Sequence, residues 1–239
     1  PADNVTNFEG IQFLVENPYW EGAKISLYSA GEESIASMPN IKVGKFITQV
    51  ILQNIEVEDI DLSNATDLRS AWVQNNPALQ KLDLSYSTIW GQGDKETEGN
   101  GTYGSSLMVL GCPILKEIKL PEKNELKAYR IDIECLDALE TFDMSNVKMV
   151  AELSIGDLNK DFNLVYPELT IFYSEDGYAG TYFACSENTF YRESTQAFLK
   201  ANYTDIDPDD TVRRLGYTSS LSYDKNKGCR WRTLLNKQK

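Results

Sequence analysis

The chain has few places where residue type and spacing could do chemistry. Asp205-Ile-Asp207-Pro-Asp209-Asp210 begins like a calcium loop. The loop's sixth position is Asp210 where a sharp turn needs Gly, and its twelfth is Gly216 where a bidentate Glu should close the shell. The stretch therefore reads as an acidic turn capping a helix that begins near Thr211. There are four cysteines, Cys112, Cys135, Cys185 and Cys229, with no C-x-x-C pair, and no histidine at all. That composition removes the commonest general base, His-Cys zinc sites and every Ser-His or Cys-His nucleophile. No catalytic, metal or cofactor residue is assigned, although catalysis by carboxylates alone stays open. Cys185 and Cys229 could pair in an oxidising compartment.

The elements that position side chains are repeats. Val57-Glu-Asp-Ile60-Asp-Leu62, Leu79-Gln-Lys-Leu82-Asp-Leu84, Leu115-Lys-Glu-Ile118-Lys-Leu120 and Leu139-Glu-Thr-Phe142-Asp-Met144 are apolar at positions 1, 4 and 6, in steps of 22, 36 and 24 residues. A period in the low twenties predicts a solenoid whose coils bury apolar faces only against their neighbours. Eleven residues after three of these motifs stand companions: Leu68-Arg-Ser-Ala71-Trp-Val73, Leu126-Lys-Ala-Tyr129-Arg-Ile131 and Val150-Ala-Glu-Leu153-Ser-Ile155. Ile47-Thr-Gln-Val50-Ile-Leu52 is an earlier half-coil. Each coil should thus have two extended segments on opposite walls. Ser63-Asn64, Asn75-Asn76-Pro77 and Ser145-Asn146 supply turn chemistry. Cys112 and Cys135, just before Leu115 and Leu139, are expected to be equivalent buried thiols.

The two-residue period of a strand turns position 5 of each segment outwards. On the motif strands this column is Asp61, Asp83, Lys119 and Asp143; on the companions it is Trp72, Arg130 and Ser154. Outward polar residues are ordinary on a solvated sheet. An outward tryptophan is less so: it packs under a loop or serves as a stacking platform for a sugar or peptide. The 36-residue step contains a glycine-rich insertion, residues 91–106, with Trp90, Asp94, Glu96 and Tyr103 at its edges. Insertions in solenoids lie on one face, often the binding face. The candidate binding surface is therefore Asp61, Trp72, Asp83, Lys119, Arg130 and Asp143, with Trp90 and Tyr103.

Residues 1–40 lack the repeat and are expected to cap the first coil, with short strands at Ile11–Val15 and Ile25–Tyr28. Residues 41–173 form the solenoid. Residues 174–239 form a C-terminal cap or a small appended region, with a short helix over Ser194–Ala201 and Ser194 as N-cap. Sequons stand at Asn4, Asn64, Asn100 and Asn202.

The run Cys112-Pro-Ile-Leu115-Lys-Glu-Ile118-Lys-Leu120-Pro121, then Leu126-x-x-Tyr129, Cys135 and Leu139-x-x-Phe142-x-Met144, resembles the leucine-rich repeats of the BspA (Treponema pallidum) type, over roughly Ile41 to Tyr173. The Ala-Phe that precedes the family's second Cys is replaced by Ile133-Glu134. The resemblance implies a leucine-rich-repeat solenoid, β-rich with few helices, and a bacterial cell-surface or secreted protein that adheres or binds.

The totals agree with a folded chain: 41 % hydrophobic and 25 % charged residues. The net charge of −13 argues against nucleic acid, although Thr211–Lys239 holds eight Lys or Arg and one acid, a basic tail that could also dock an anionic partner. No apolar run is long enough for a membrane span. Residue 1 is Pro, so a processed start is expected, with room for an export signal or lipid anchor upstream. The reading is a non-enzymatic binding protein for a protein or glycan. Its rivals are a parallel β-helix enzyme acting on acidic polysaccharide and a structural or assembly subunit.

Overall fold

Alternation of apolar and polar residues governs the architecture on both walls of the solenoid. The computed structural model describes residues 9–11, 23–28, 35–87, 106–122, 126–159, 161–170, 174–175, 178–179, 182–202, 217–219, 222–224, 228–230 and 233–235. The protein is β-rich, and its parallel coils stack into a β-solenoid of about five turns. Among the described residues, helices occur only at Glu187–Phe190 and Glu193–Asn202.

The long wall is a sheet of nine strands. Seven run parallel in chain order: Ala23–Tyr28, Ile47–Gln53, Ser70–Gln74, Ser106–Leu110, Leu126–Leu136, Val147–Leu158 and Tyr182–Cys185. Tyr217–Ser219 then joins in parallel and Thr233–Leu235 antiparallel. The short wall consists of strands of two or three residues, paired in parallel: Ile41–Lys42 with Ile60–Asp61, Lys81–Asp83 with Glu117–Lys119, and Thr141–Asp143 with Asn163–Val165. The stack thus begins at Ala23, upstream of the expected boundary at 41, and the long wall reaches Cys185 and beyond. Of the predicted first strand only Ile11 is described, in a turn.

The expected two-walled coil is present, and the leucine motifs form its short strands while their companions form the long ones. The cause is local. Asp83 accepts a hydrogen bond from the backbone N–H of Ser85 (3.0 Å), and Asp61 and Asp143 do the same for Ser63 (2.9 Å) and Ser145 (2.8 Å). Each Asp-x-Ser therefore bends the chain as the motif ends. The companion segments meet no such turn, and their alternation runs on to 12 residues in Val147–Leu158.

Inward side chains fill the space between the walls. Val50, Ala71, Leu107, Ile131, Leu153 and Phe183 descend one column, and Leu52, Val73, Val109, Ile133 and Ile155 the next. They face Ile41, Ile60, Leu82, Ile118, Phe142 and Leu164, and all are buried. Each such side chain contributes roughly 1.5–3 kcal/mol by leaving water.

The corners repeat as well. Backbone bonds Gly44 to Ile47, Leu62 to Ala65, Leu84 to Ser87 and Met144 to Val147 close the turns after the short wall. The turns after the long wall pass through left-handed residues: Asn54 (φ 55°), Asn75 (φ 53°), Gly111 (φ 63°) and Cys135 (φ 53°). Cross-coil bonds from the N–H of Asn54, Asn75 and Gly111 to the carbonyls of Gln74, Leu110 and Glu134 put these four in one column. Cys135 is thus equivalent to Gly111, and Cys112 stands level with Leu136. The two cysteines do not hold matching places, which explains why their distances to the following leucine differ.

At the far end, Phe190, Phe198 and Leu199 from the two helices join the core. The Phe198 ring stacks on Tyr166 (4.5 Å between centroids) and lies 5.6 Å from Phe183. Arg192 donates to the carbonyls of Phe162 (2.9 Å) and Leu158 (3.4 Å), satisfying corner groups that the last strand leaves open. The longer helix starts at Glu193, so Ser194 sits inside its first turn and is not the N-cap.

Candidate functional site

The outward residues of the short wall stand where alternation placed them. Asp61 and Asp83 are half-buried, Lys119 and Asp143 exposed. The three aspartates are committed to the Asp-x-Ser turns, and the charges around them are paired. Lys42 meets Asp61 across the coils (3.4 Å); Lys81 meets Asp83 and Glu117 (3.3 Å each); Lys119 meets Glu117 (3.8 Å). Hydrogen bonds from Ser63 and the neighbouring Lys42 hold the Asp61 carboxyl below its ordinary range, against slight burial. Burial pushes Asp83 up, but bonds from Ser85 and Lys81 outweigh it and leave it lowered. Lys81 is raised by its bonds to Glu117 and Asp83. These ion pairs are exposed and contribute little each. Their effect is to hold a flat, charged ladder in register.

On the long wall the outward face carries three columns. One runs Ser26, Ile51, Trp72, Met108, Asp132, Ser154 and Ala184; another runs Lys24, Gln49, Ser70, Ser106, Arg130 and Glu152; the third runs Gln53, Gln74, Leu110, Glu134 and Gly156. Trp72 and Arg130, both predicted, therefore share this face but stand in different columns. Trp72 is partly exposed, and its Nε1 donates to Gln74 Oε1 (3.2 Å). No predicted residue of the short wall meets Trp72 or Arg130, because the core separates the two faces. Trp90 and Tyr103 lie outside the described residues, as do Asp94, Glu96 and the acidic stretch Asp205–Asp210.

Arg130 belongs to a charged group that the repeat register did not single out. Its Nη2 and Nε reach Asp132 Oδ2 at 2.6 and 2.7 Å, and its Nη1 lies 3.4 Å from Glu152. Tyr129 donates to Glu152 (3.3 Å). Asp132 is 3 % exposed, and one of its carboxylate oxygens, Oδ1, has no hydrogen-bond partner. Burial raises its pKa to about 6, although Arg130 opposes the rise. Two residues on, Glu134 is fully buried and accepts from Ser154 Oγ (2.6 Å). A carboxyl raised into this range can hold or release a proton near neutrality, which is the chemistry of a general acid. The signal was present in Arg130-Ile-Asp132-Ile-Glu134: a two-residue period continued past the motif puts both acids on the outward face.

The cysteines are not arranged as expected. Cys185 is a free, buried thiol, so it is not bonded to Cys229; burial pushes it up to about 12. Cys112 is likewise free and buried, raised to about 12 by burial against a bond from the Asn76 backbone. Cys135 is disulfide-bonded. Among the described residues, no group of three or more His, Cys, Asp or Glu could hold a metal ion, and no helix is long and apolar enough to cross a membrane. Comparison with protein-family models, with curated proteins and with solved structures returns no match.

Proposed function

We propose that this chain is a non-enzymatic binding protein of the leucine-rich-repeat kind, exported and held at a bacterial cell surface. Its partner is a protein or a glycan engaged by contacts spread over successive coils. One observation carries this reading: outward side chains repeat in register from coil to coil, so identical backbone spacing presents a regular array of exposed groups on a rigid support. The resemblance to BspA-type repeats supports the family and the cell-surface setting. The disulfide at Cys135 fits an oxidising compartment.

The test is a binding array of glycans and extracellular proteins, followed by Lys119→Glu on the short wall and Trp72→Ala on the long one. Lys119 is exposed and Trp72 partly exposed, and neither belongs to the core between the walls. Saturable binding that falls about tenfold in one of the two variants, with circular dichroism showing each folded, is the expected outcome. Absence of any binder from both classes overturns the reading.

A second reading has its own observation. Both walls are strands, and Asp132, Glu134 and Glu152 cluster beside Arg130 on one of them, as a carboxylate-based enzyme on polysaccharide would need. Turnover of acidic polysaccharides that disappears in Asp132→Asn would establish it in place of the first.

A further inference from the structure

We propose that the outer face of the long wall, over the coils that carry Ile51, Trp72 and Met108, is a stacking platform for a neutral glycan. This rests on the binding-protein reading and names the partner's class. Ile51, Trp72 and Met108 occupy one outward column on three adjacent strands, in direct register. All three are partly exposed, and Ser26 before them is exposed. The same column is closed further along, where Asp132, Ser154 and Ala184 are 3 %, 5 % and 1 % exposed. The open stretch is therefore confined to one half of the face.

Its chemistry selects the occupant. Among the described residues, Lys24 at the margin is the one charged group at the outward positions of these four strands; beside the apolar column Gln53 and Gln74 are partly exposed, while Gln49, Ser70, Ser106 and Leu110 are buried. An uncharged stretch in a chain of net charge −13 offers nothing to a polyanion and no carboxylate to a basic peptide. A neutral sugar chain has what the face can use: C–H faces for the indole and hydroxyls for amides that both donate and accept. Gln53 and Gln74 flank the ring and are partly exposed. The Trp72 Nε1 bond to Gln74 fixes the ring's orientation before a ligand arrives, which reduces the entropy lost on binding.

The experiment uses the full chain and soluble β-glucan, xylan and mannan, with polygalacturonate as the charged counterpart and a peptide array alongside. Affinity electrophoresis and calorimetry should show binding to at least one neutral polymer, unaffected by salt. Trp72→Ala should weaken it about tenfold or more and Trp72→Phe less, while Glu140→Lys, an exposed side chain beside the short wall, leaves it unchanged; Tm confirms that each variant is folded. No neutral glycan bound, a preference for polygalacturonate, or binding indifferent to Trp72→Ala overturns the proposal. A protein or peptide partner sensitive to Lys119→Glu but not to Trp72→Ala would overturn it while leaving the binding-protein reading intact.

Discussion

Asp132 is a carboxyl whose enclosure favours its uncharged form. Its oxygens are enclosed, one is paired with Arg130, and the other has no partner. Ionising a carboxyl there costs free energy, so its pKa rises from 3.8 to about 6. The unfolded chain releases the proton near pH 4 and the folded chain only near 6. The neutral form is therefore favoured by folding: the stabilisation is complete below about pH 4 and disappears as pH rises to 6. The difference is worth on the order of 3 kcal/mol. Replacing Asp132 by Asn should flatten the stability profile between pH 4 and 7 by about that amount, as read from urea unfolding at a series of pH values. An unchanged slope would mean that some other group titrates there. Asn76 shows the complementary case of a buried polar side chain in use. It is fully enclosed, and its Oδ1 accepts from the N–H groups of Ala78 and Leu79 (3.0 Å each), closing a corner without an intervening backbone bond.

At the scale of the element, the Asp-x-Ser turns decide how long the short-wall strands are. Asp83 accepts from Ser85 through both its N–H and its hydroxyl and meets Lys81 in an ion pair. Asp83→Ala should cost about 1 kcal/mol, as loss of a comparable cap does, while Asp83→Asn keeps the acceptor and recovers most of it. Thermal unfolding of the two variants separates this role from a ligand-binding one, in which Asn and Ala would leave Tm alike. The lowered carboxyls of Asp61 and Asp83 also have a pH signature opposite in sign to Asp132. Their contribution is complete above about pH 4 and vanishes as pH falls through their depressed folded values. Much of this element was legible. Ile60, Leu82, Ile118 and Phe142 are buried where the motif put them, and position 5 faces out. The lengths of the strands were not, because an Asx turn depends on a side chain accepting from a backbone group two residues on, which the apolar pattern does not register.

At the scale of the molecule, a solenoid passes stability only between adjacent coils. The long-wall strand Tyr182–Cys185 and the helix Glu193–Asn202 meet through the ring cluster of Tyr166, Phe183 and Phe198, with Tyr166 Oη and Thr195 Oγ1 also bonded (2.9 Å). Phe198→Ala removes the central ring of that cluster, at a cost of about 3–5 kcal/mol. Because the loss sits at one end, hydrogen exchange should speed up for amides of 182–202 while 126–158 keeps its protection. A uniform rise along the chain would instead show that the coils unfold as one unit.

By itself the sequence determined the period, the two walls and the side of the strand on which each residue falls, since these follow from local alternation and from turn residues read along one chain. Trp72 and Arg130 were found that way. Only the tertiary structure decided which coils stand level, and hence that Cys135 matches Gly111, that Cys185 is an unbonded buried thiol, and that Asp132 and Glu134 are enclosed. Burial of an outward face is set by what lies over it, and register by hydrogen bonds between residues 18 to 37 positions apart. Neither is encoded in the spacing of leucines.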